Sequence, residues 1–469
     1  LTIQEFLAAK HVTETFAPSD IKEFISSHLG EPRWHLVLQF IAGLLGKKMT
    51  TFDCRFVDCV MEYGQDFREI RDKIVLTYHK VFVMKCLKEL DNERIAKDVC
   101  KKTLNMKDVK CLVSNYHFHS SPNDWVAANY VCKHINNLSR FLITIVGADC
   151  LQEIVKLLQN HCIAQLTLRR LSATDHVEVE VEHVFNALKD TKCTRNHKHA
   201  NLTLLTLGGF CMSDEVMTKM NQFFKNGHGS HLQELKLMSN EISPCGISKF
   251  CEVLDSEHFV ELTHLDFSVN PIYDEGAVVL FSTLINSACK LTELVLFKCS
   301  LTIQCVSSLV KTLQDEHCKI VKLDIGQNDI GDEGVRLLCE NALTEEHCKL
   351  TDLFLNRCLL TQDCIPYLCN ALQDKRCKLN FLSLGENKIG DEGVCVLFED
   401  GITTEHCKLT ELDLVSNSLT DDCLPKLCKV LQDERCKVTK LSLNLNEFTD
   451  DGKNVLSDLK KSSACKPEV

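Results

Sequence analysis

The sequence predicts an α/β solenoid, a horseshoe with parallel strands inside and helices outside, preceded by an all-α helical domain. Three observations carry this. A nine-residue pattern, L-x-x-L-x-L-x-x-[N/C], recurs from residue 232 onward with starts 29 or 30 residues apart. Each copy precedes a stretch with apolar residues at i, i+3, i+4 and i+7, as at Ile365, Leu368, Cys369 and Leu372, the single stripe of an amphipathic helix. Residues 1–137 lack the pattern and read as helices. Domains are drawn at 1–120, helical, and 121–469, about ten to eleven repeats.

The chain opens on "LTIQEFLAAKHV", already helical in periodicity and without a starting cap, so a longer parent protein is expected. "EPRWHLVLQFIAGLLGKK" predicts a helix with Trp34, Val37, Leu38, Ile41 and Leu45 on its buried side. "REIRDKIVLTYHKVFVMKCLKEL" predicts another and "NERIAKDVCKKTL" a third. "SPNDWVAANYVC", 121–132, supplies Ser and Asp cap candidates for a helix leading into the first strand.

Imperfect copies begin at 138, 163 and 202, with Val146, Leu171 and Phe210 at the ninth position. "TDHVEVEVEHV" and "KCTRNHKHA" read as an insertion around the helix and exit loop of the second. Regular copies begin at 232, 262, 291, 320, 350, 379, 409 and 438. One strand–helix unit cannot bury its apolar stripe alone, but stacked units can, with strands about 4.8 Å apart. Units of the "LFKC" kind interleave with "GQNDIGDEG" units, which spaces Cys305, Cys364 and Cys423 by 59 residues. This alternation resembles the leucine-rich repeats of the ribonuclease-inhibitor class, over roughly 138–469. The ninth-position Asn has a physical task, since its amide can bond the backbone of the turn; a small thiol fills that place more weakly.

The 28 cysteines and 19 histidines invite a reading as chemistry, with His347–Cys348 as the sharpest doublet. However, Cys289, Cys318, Cys348, Cys377, Cys407, Cys436 and Cys465 recur with the repeat, whereas the preceding residue changes among His, Ala and Arg. A dyad or zinc site needs its partner kept, so these cysteines are expected to be buried and structural. The pairs His117/His119 and His197/His199 lack a third ligand. "LLGKK" fails as a phosphate loop because Ile41 and Lys48 stand where Gly and Ser/Thr are needed. The "GDEG" runs at 331–334 and 390–393 read as helix starts, carboxylates at the positive end. No catalytic, metal or cofactor-binding residues are assigned, and an enzyme is not expected. The net charge of −12 argues against nucleic-acid or anionic-membrane binding. No apolar run nears the ~20 residues of a membrane span.

"LTIQEFLAAKHV" and "WHLVLQFIAGLLG" resemble segments of NOD-like receptors, in the helical region between their nucleotide-binding NACHT module and ribonuclease-inhibitor-type repeats. The resemblance implies the ligand-sensing and autoregulatory half of a cytosolic innate-immune receptor, with no Walker motif and no cofactor in this stretch. Its implied partners are a protein or danger ligand on the concave face and an upstream NACHT module. A stand-alone binding module, ribonuclease-inhibitor-like or a GTPase-activating scaffold, is the alternative. Template positions 3, 5, 7 and 8 face the concave side, where mixed charge surrounds a few aromatics. The candidate contact residues are Phe297, Phe354, Arg357, Phe381, Asp324, Asp352, Glu411 and Asp413. Exposed aromatics beside Arg have the composition of an interface hot spot, though such aromatics also rest against neighbours with no partner.

Overall fold

The computed structural model describes residues 2–28, 31–48, 73–94, 96–97, 122–134, 140–145, 151–160, 163–170, 179–189, 202–254, 259, 261–286, 288–462 and 465–468. By compactness the chain divides between Leu204 and Leu205. The boundary expected at 120/121 lies outside the described residues; helices and strand–helix units both occur in the first part.

That part begins with α1 (Thr2–Thr15), α2 (Pro18–His28), a 3-10 turn at Pro32–Trp34 and α3 (His35–Lys48). Val37, Leu38 and Ile41 of α3 are buried as their spacing predicts, while Trp34 and Leu45 are half-buried. Trp34 instead closes an aromatic cluster, 5.5 Å from Phe24 and 4.6 Å from His28 between ring centroids. α4 (Lys73–Leu90) packs on α3 and buries Phe82, Met84, Cys86 and Leu87. α5 (Pro122–Cys132) joins it through an ion pair between Lys85 and the buried Asp124. β1 (Arg140–Ile145) and β2 (Gln165–Arg170) pair in parallel across α6 (Leu151–Gln159), followed by α7 (Val179–Lys189). The copies at 138 and 163 are therefore strands. Val146, Leu171, most of "NERIAKDVCKKTL", His117, His119, His197 and His199 lie outside the described residues.

β3 (Leu204–Gly208) lies at the division and leads into α8 (Asp214–Phe223). Short strands and helices then alternate: β4 (Glu234–Lys236), α9 (Pro244–Leu254), β5 (His264–Asp266), α10 (Tyr273–Leu284), β6 (Glu293–Val295) and α11 (Ile303–Gln314). Next come β7 (Lys322–Asp324), α12 (Gly331–Leu338), β8 (Asp352–Phe354), α13 (Ile365–Gln373), β9 (Phe381–Ser383) and α14 (Gly390–Val396). The chain ends with β10 (Glu411–Asp413), α15 (Leu424–Leu431), β11 (Lys440–Ser442), α16 (Asp450–Ser462) and β12 (Lys466–Glu468). β4 to β12 pair in parallel in chain order. The fourth template position forms one buried row, Leu235, Leu265, Leu294, Leu323, Leu353, Leu382, Leu412 and Leu441. Full burial of each leucine is worth about 1.5–3 kcal/mol. The solenoid is a leucine-rich-repeat fold.

The strands are short because the eighth residue of every regular copy, from Ser239 to Leu445, has φ between 53° and 60° and turns the chain away. Two coil types follow. Copies at 232, 291, 350 and 409 have a second positive φ at the tenth position, at Glu241, Ser300, Leu359 and Ser418. Copies at 262, 320 and 379 have it at the twelfth, at Tyr273, Gly331 and Gly390. The sequence alternation is thus an alternation of turn geometry.

The ninth position locks each coil to the one before it. Asn328 Oδ1 accepts from the Cys299 and Leu301 amides at 2.9 and 3.0 Å, while its Nδ2 donates to Leu296 O at 2.8 Å and Ile325 O at 2.9 Å. Asn270 and Asn387 repeat this arrangement. Where cysteine stands instead, the thiols of Cys299 and Cys358 donate to Phe267 O and Ile325 O at 3.3 and 3.4 Å. Both thiols are pushed up to about 12, chiefly by burial.

The cysteine series forms the seam between each helix and the next strand. Cys318, Cys348, Cys377 and Cys407 are buried and His347 is exposed. Burial raises the Cys348 thiol, against the opposing pull of the Leu350 backbone amide and Lys378. The lysine after each cysteine supplies a further tie. Lys349 Nζ donates to Cys318 O at 2.7 Å, Lys378 to Cys348 O at 2.8 Å and Lys408 to Cys377 O at 2.7 Å. Near the helix starts, Asp274, Asp332 and Asp391 accept from both the amide and the hydroxyl of the next coil's Thr302, Thr361 and Thr420. The acid run therefore joins coils as well as facing its own helix dipole.

Candidate functional site

Side chains alternate across a strand. With leucine at positions 4 and 6 turned into the core, positions 3, 5 and 7 are left on the open strand face. In β8, Asp352 and Phe354 are half-buried on either side of the buried Leu353. β9 places Phe381 on the same face, where it pairs in register with Asp352. Phe354 and Phe381 are diagonal neighbours, close enough for long side chains to meet. Their rings lie 4.5 Å apart between centroids at 34°.

Charge surrounds this pair. Lys322 Nζ lies 5.5 Å from the Phe354 ring centroid and 3.7 Å from Glu293 Oε2. Glu293 also bonds His264 Nδ1 at 2.9 Å. Arg357 forms an ion pair with Glu386 of the next coil. Asp324 sits beside Phe354 in register, and its Oδ1 accepts from the Gly326 amide at 2.9 Å. Burial raises the Asp324 carboxyl above its ordinary range; the charge of Asp266 adds to this and Lys322 opposes it. Asp352 accepts from Thr351 Oγ1 at 2.5 Å. Asp413 accepts from Ser383 Oγ at 2.7 Å and the Val415 amide at 3.0 Å. A Cβ at Gly385 would stand 3.0 Å from Asp413 Oδ2, so glycine keeps that carboxylate in place. Glu411 pairs in register with Phe381 and binds Lys440 at 2.6 Å.

The structure brings Phe354, Phe381, Asp324, Asp352, Glu411 and Asp413 onto one stretch of the face. Phe297 lies past the end of β6 and makes no ring contact among the described residues. The roles of Lys322 and Glu386 were missed in the sequence. Glu386 was findable, because it lies 29 residues after Arg357 and therefore in the same place on the next coil. Among the described residues no group of three or more His, Cys, Asp or Glu side chains is placed to hold a metal ion. Among them, too, no helix is long and apolar enough to cross a membrane.

The leucine-rich repeat family matches residues 228–251, 262–281, 316–339, 376–397 and 405–428. The chain is 39% identical over 170 residues to NACHT, LRR and PYD domains-containing protein 3 of Bos taurus, covering 36% of this chain and 16% of that protein. It is 32% identical over 272 residues to NACHT, LRR and PYD domains-containing protein 14 of Mus musculus, covering 57% of this chain and 26% of that protein. It is also 32% identical over 200 residues to mouse ribonuclease inhibitor, covering 43% and 42%. The matched stretches thus span less than half of each relative's length. Homologues of the chain are NACHT, LRR and PYD domains-containing proteins and ribonuclease inhibitor.

Proposed function

We propose that the chain is the ligand-sensing and autoregulatory half of a NOD-like receptor, acting in the cytoplasm without catalysis. In this reading residues 1–120 are the helical region that follows a NACHT module. The repeats bind a protein partner or danger ligand on the strand face and contact the NACHT module within the same receptor. The observation that carries the reading is the Phe354–Phe381 pair, half-exposed on a face whose core side is already filled by leucine. Neither ring is needed to close the core, and aromatic surface left on an open face is enriched at interface hot spots. The stretch of similarity to NACHT, LRR and PYD domains-containing proteins supports the receptor setting.

The test is alanine at both phenylalanines in the full receptor, with binding measured against partners captured by the wild-type protein. Each change should cost over ~1 kcal/mol of binding while leaving the thermal transition in place. Unchanged binding at both positions sinks the reading. The similarity to ribonuclease inhibitor supports a second reading, a stand-alone binding module; a transcript lacking a Walker A segment upstream would favour it.

A further inference from the structure

The charges on the strand face are divided unequally between glutamates and aspartates. Lys236 pairs with Glu234 at 3.0 Å, Lys322 with Glu293, Lys440 with Glu411, and Arg357 with Glu386. Asp324, Asp352 and Asp413 have no ion-pair partner among the described residues; each holds only neutral hydrogen bonds. All three lie around the aromatic pair. Asp324 is beside Phe354, Asp352 is beside Phe381, and Asp413 is two strands on from Phe354 in the same row. A carboxylate has about four acceptor sites, so each keeps capacity on the open side.

We propose that Phe354 and Phe381, ringed by Asp324, Asp352 and Asp413, form the seat of an arginine side chain presented by a protein partner. This deepens the reading above and rests on it. A guanidinium is planar, lies flat on an aromatic face and forks to carboxylates through five N–H groups. The face already shows the attraction in weak form, because Lys322 stands over the Phe354 ring while held towards Glu293. Burial disfavours the Asp324 charge, and a cation beside the carboxylate offsets that cost by favouring the charged form. A lysine fits less well, since a compact ammonium reaches one carboxylate and covers little of the ring.

The test selects peptides from a displayed random library on the whole chain and measures the winners by fluorescence polarisation. Arginine should be enriched at one fixed position. Its replacement by citrulline, which keeps the shape and removes the charge, should weaken binding at least about tenfold. Phe354→Leu keeps apolar bulk and removes the ring face, and should weaken binding about 3- to 30-fold. Asp324→Asn with Asp413→Asn should do the same, whereas Asp266→Asn, outside the ring, should change little. Binding that falls with Phe354→Ala but ignores citrulline overturns the arginine seat and leaves the partner reading standing. Failure to select any peptide sensitive to Phe354→Ala or Phe381→Ala counts against both.

Discussion

Asn328 and Cys358 hold the same template position in adjacent coils, yet the structure assigns them different tasks. Asn328 accepts two buried amides, Cys299 N and Leu301 N, and donates to Leu296 O and Ile325 O. Cys358 has a single thiol hydrogen, which can go to Ile325 O at 3.4 Å or, more weakly, to Asn356 O at 3.7 Å. In Asn328→Cys a thiol can keep a donor contact but cannot serve two amides with the geometry of a carbonyl oxygen. A buried donor left unpaired costs about 1–3 kcal/mol, so two give a loss of about 2–6 kcal/mol. The converse change, Cys358→Asn, should fall within about 1 kcal/mol of wild type, because Asn240 and Asn417 occupy the equivalent place in the same coil type. Because coils of a repeat protein can open separately, the assay is amide hydrogen exchange alongside urea denaturation. Protection should collapse at Cys299 and Leu301 in Asn328→Cys before the rest of the solenoid. A cost below about 1 kcal/mol, or an equal cost for the two substitutions, would refute the division of labour.

Tyr273 has φ 54 where the corresponding coils place Gly331 and Gly390. Tyr273→Gly should therefore leave stability unchanged or raise it by up to about 1 kcal/mol; a clear loss in thermal unfolding would contradict the strain argument. Asp324 has a folded pKa above its unfolded one, so the native state holds the extra proton between those two values. Stability from this group declines as pH rises from the ordinary aspartate value through the raised one. Asp324→Asn should flatten that decline and raise stability at neutral pH, read from denaturation between about pH 3 and 8. In native alkylation mapped by peptide, the exposed Cys245 should be modified well before the buried Cys348 and Cys358. Comparable rates would show the seam to be open.

The repeat period was legible because it is written in residues that cannot be exchanged cheaply. Leucine or another large apolar residue at positions 1, 4 and 6 fills a core, and Asn or Cys at position 9 ties one coil to the next. The same period made the cysteine series readable as a seam, since a reactive pair would have kept its histidine. Less of the candidate site was legible. Phe354 and Phe381 are 27 residues apart and could be placed on neighbouring strands by counting. Their ring contact depends on a diagonal register and on rotamers that counting does not supply. The lysine recurs after every cysteine of the seam, but the period shows the residue and not its partner: Lys349 reaches back 31 residues to Cys318 O, a contact set by the rotamer of a long flexible side chain.

Local pattern and periodicity by themselves determined that this chain stacks strand–helix units, which faces are buried and where one coil hands over to the next. Burial follows from the side-chain types in each repeat, so the repeat carries that information within about thirty residues. Only the tertiary structure decided which neighbours satisfy one another. It showed that the ninth-position Asn serves the coil before it, that glutamates pair with Lys236, Lys322, Lys440 and Arg357, and that three aspartates around two phenylalanines have no ion-pair partner among the described residues. Those facts depend on distances between atoms in different coils, and such distances exist only once the coils are stacked.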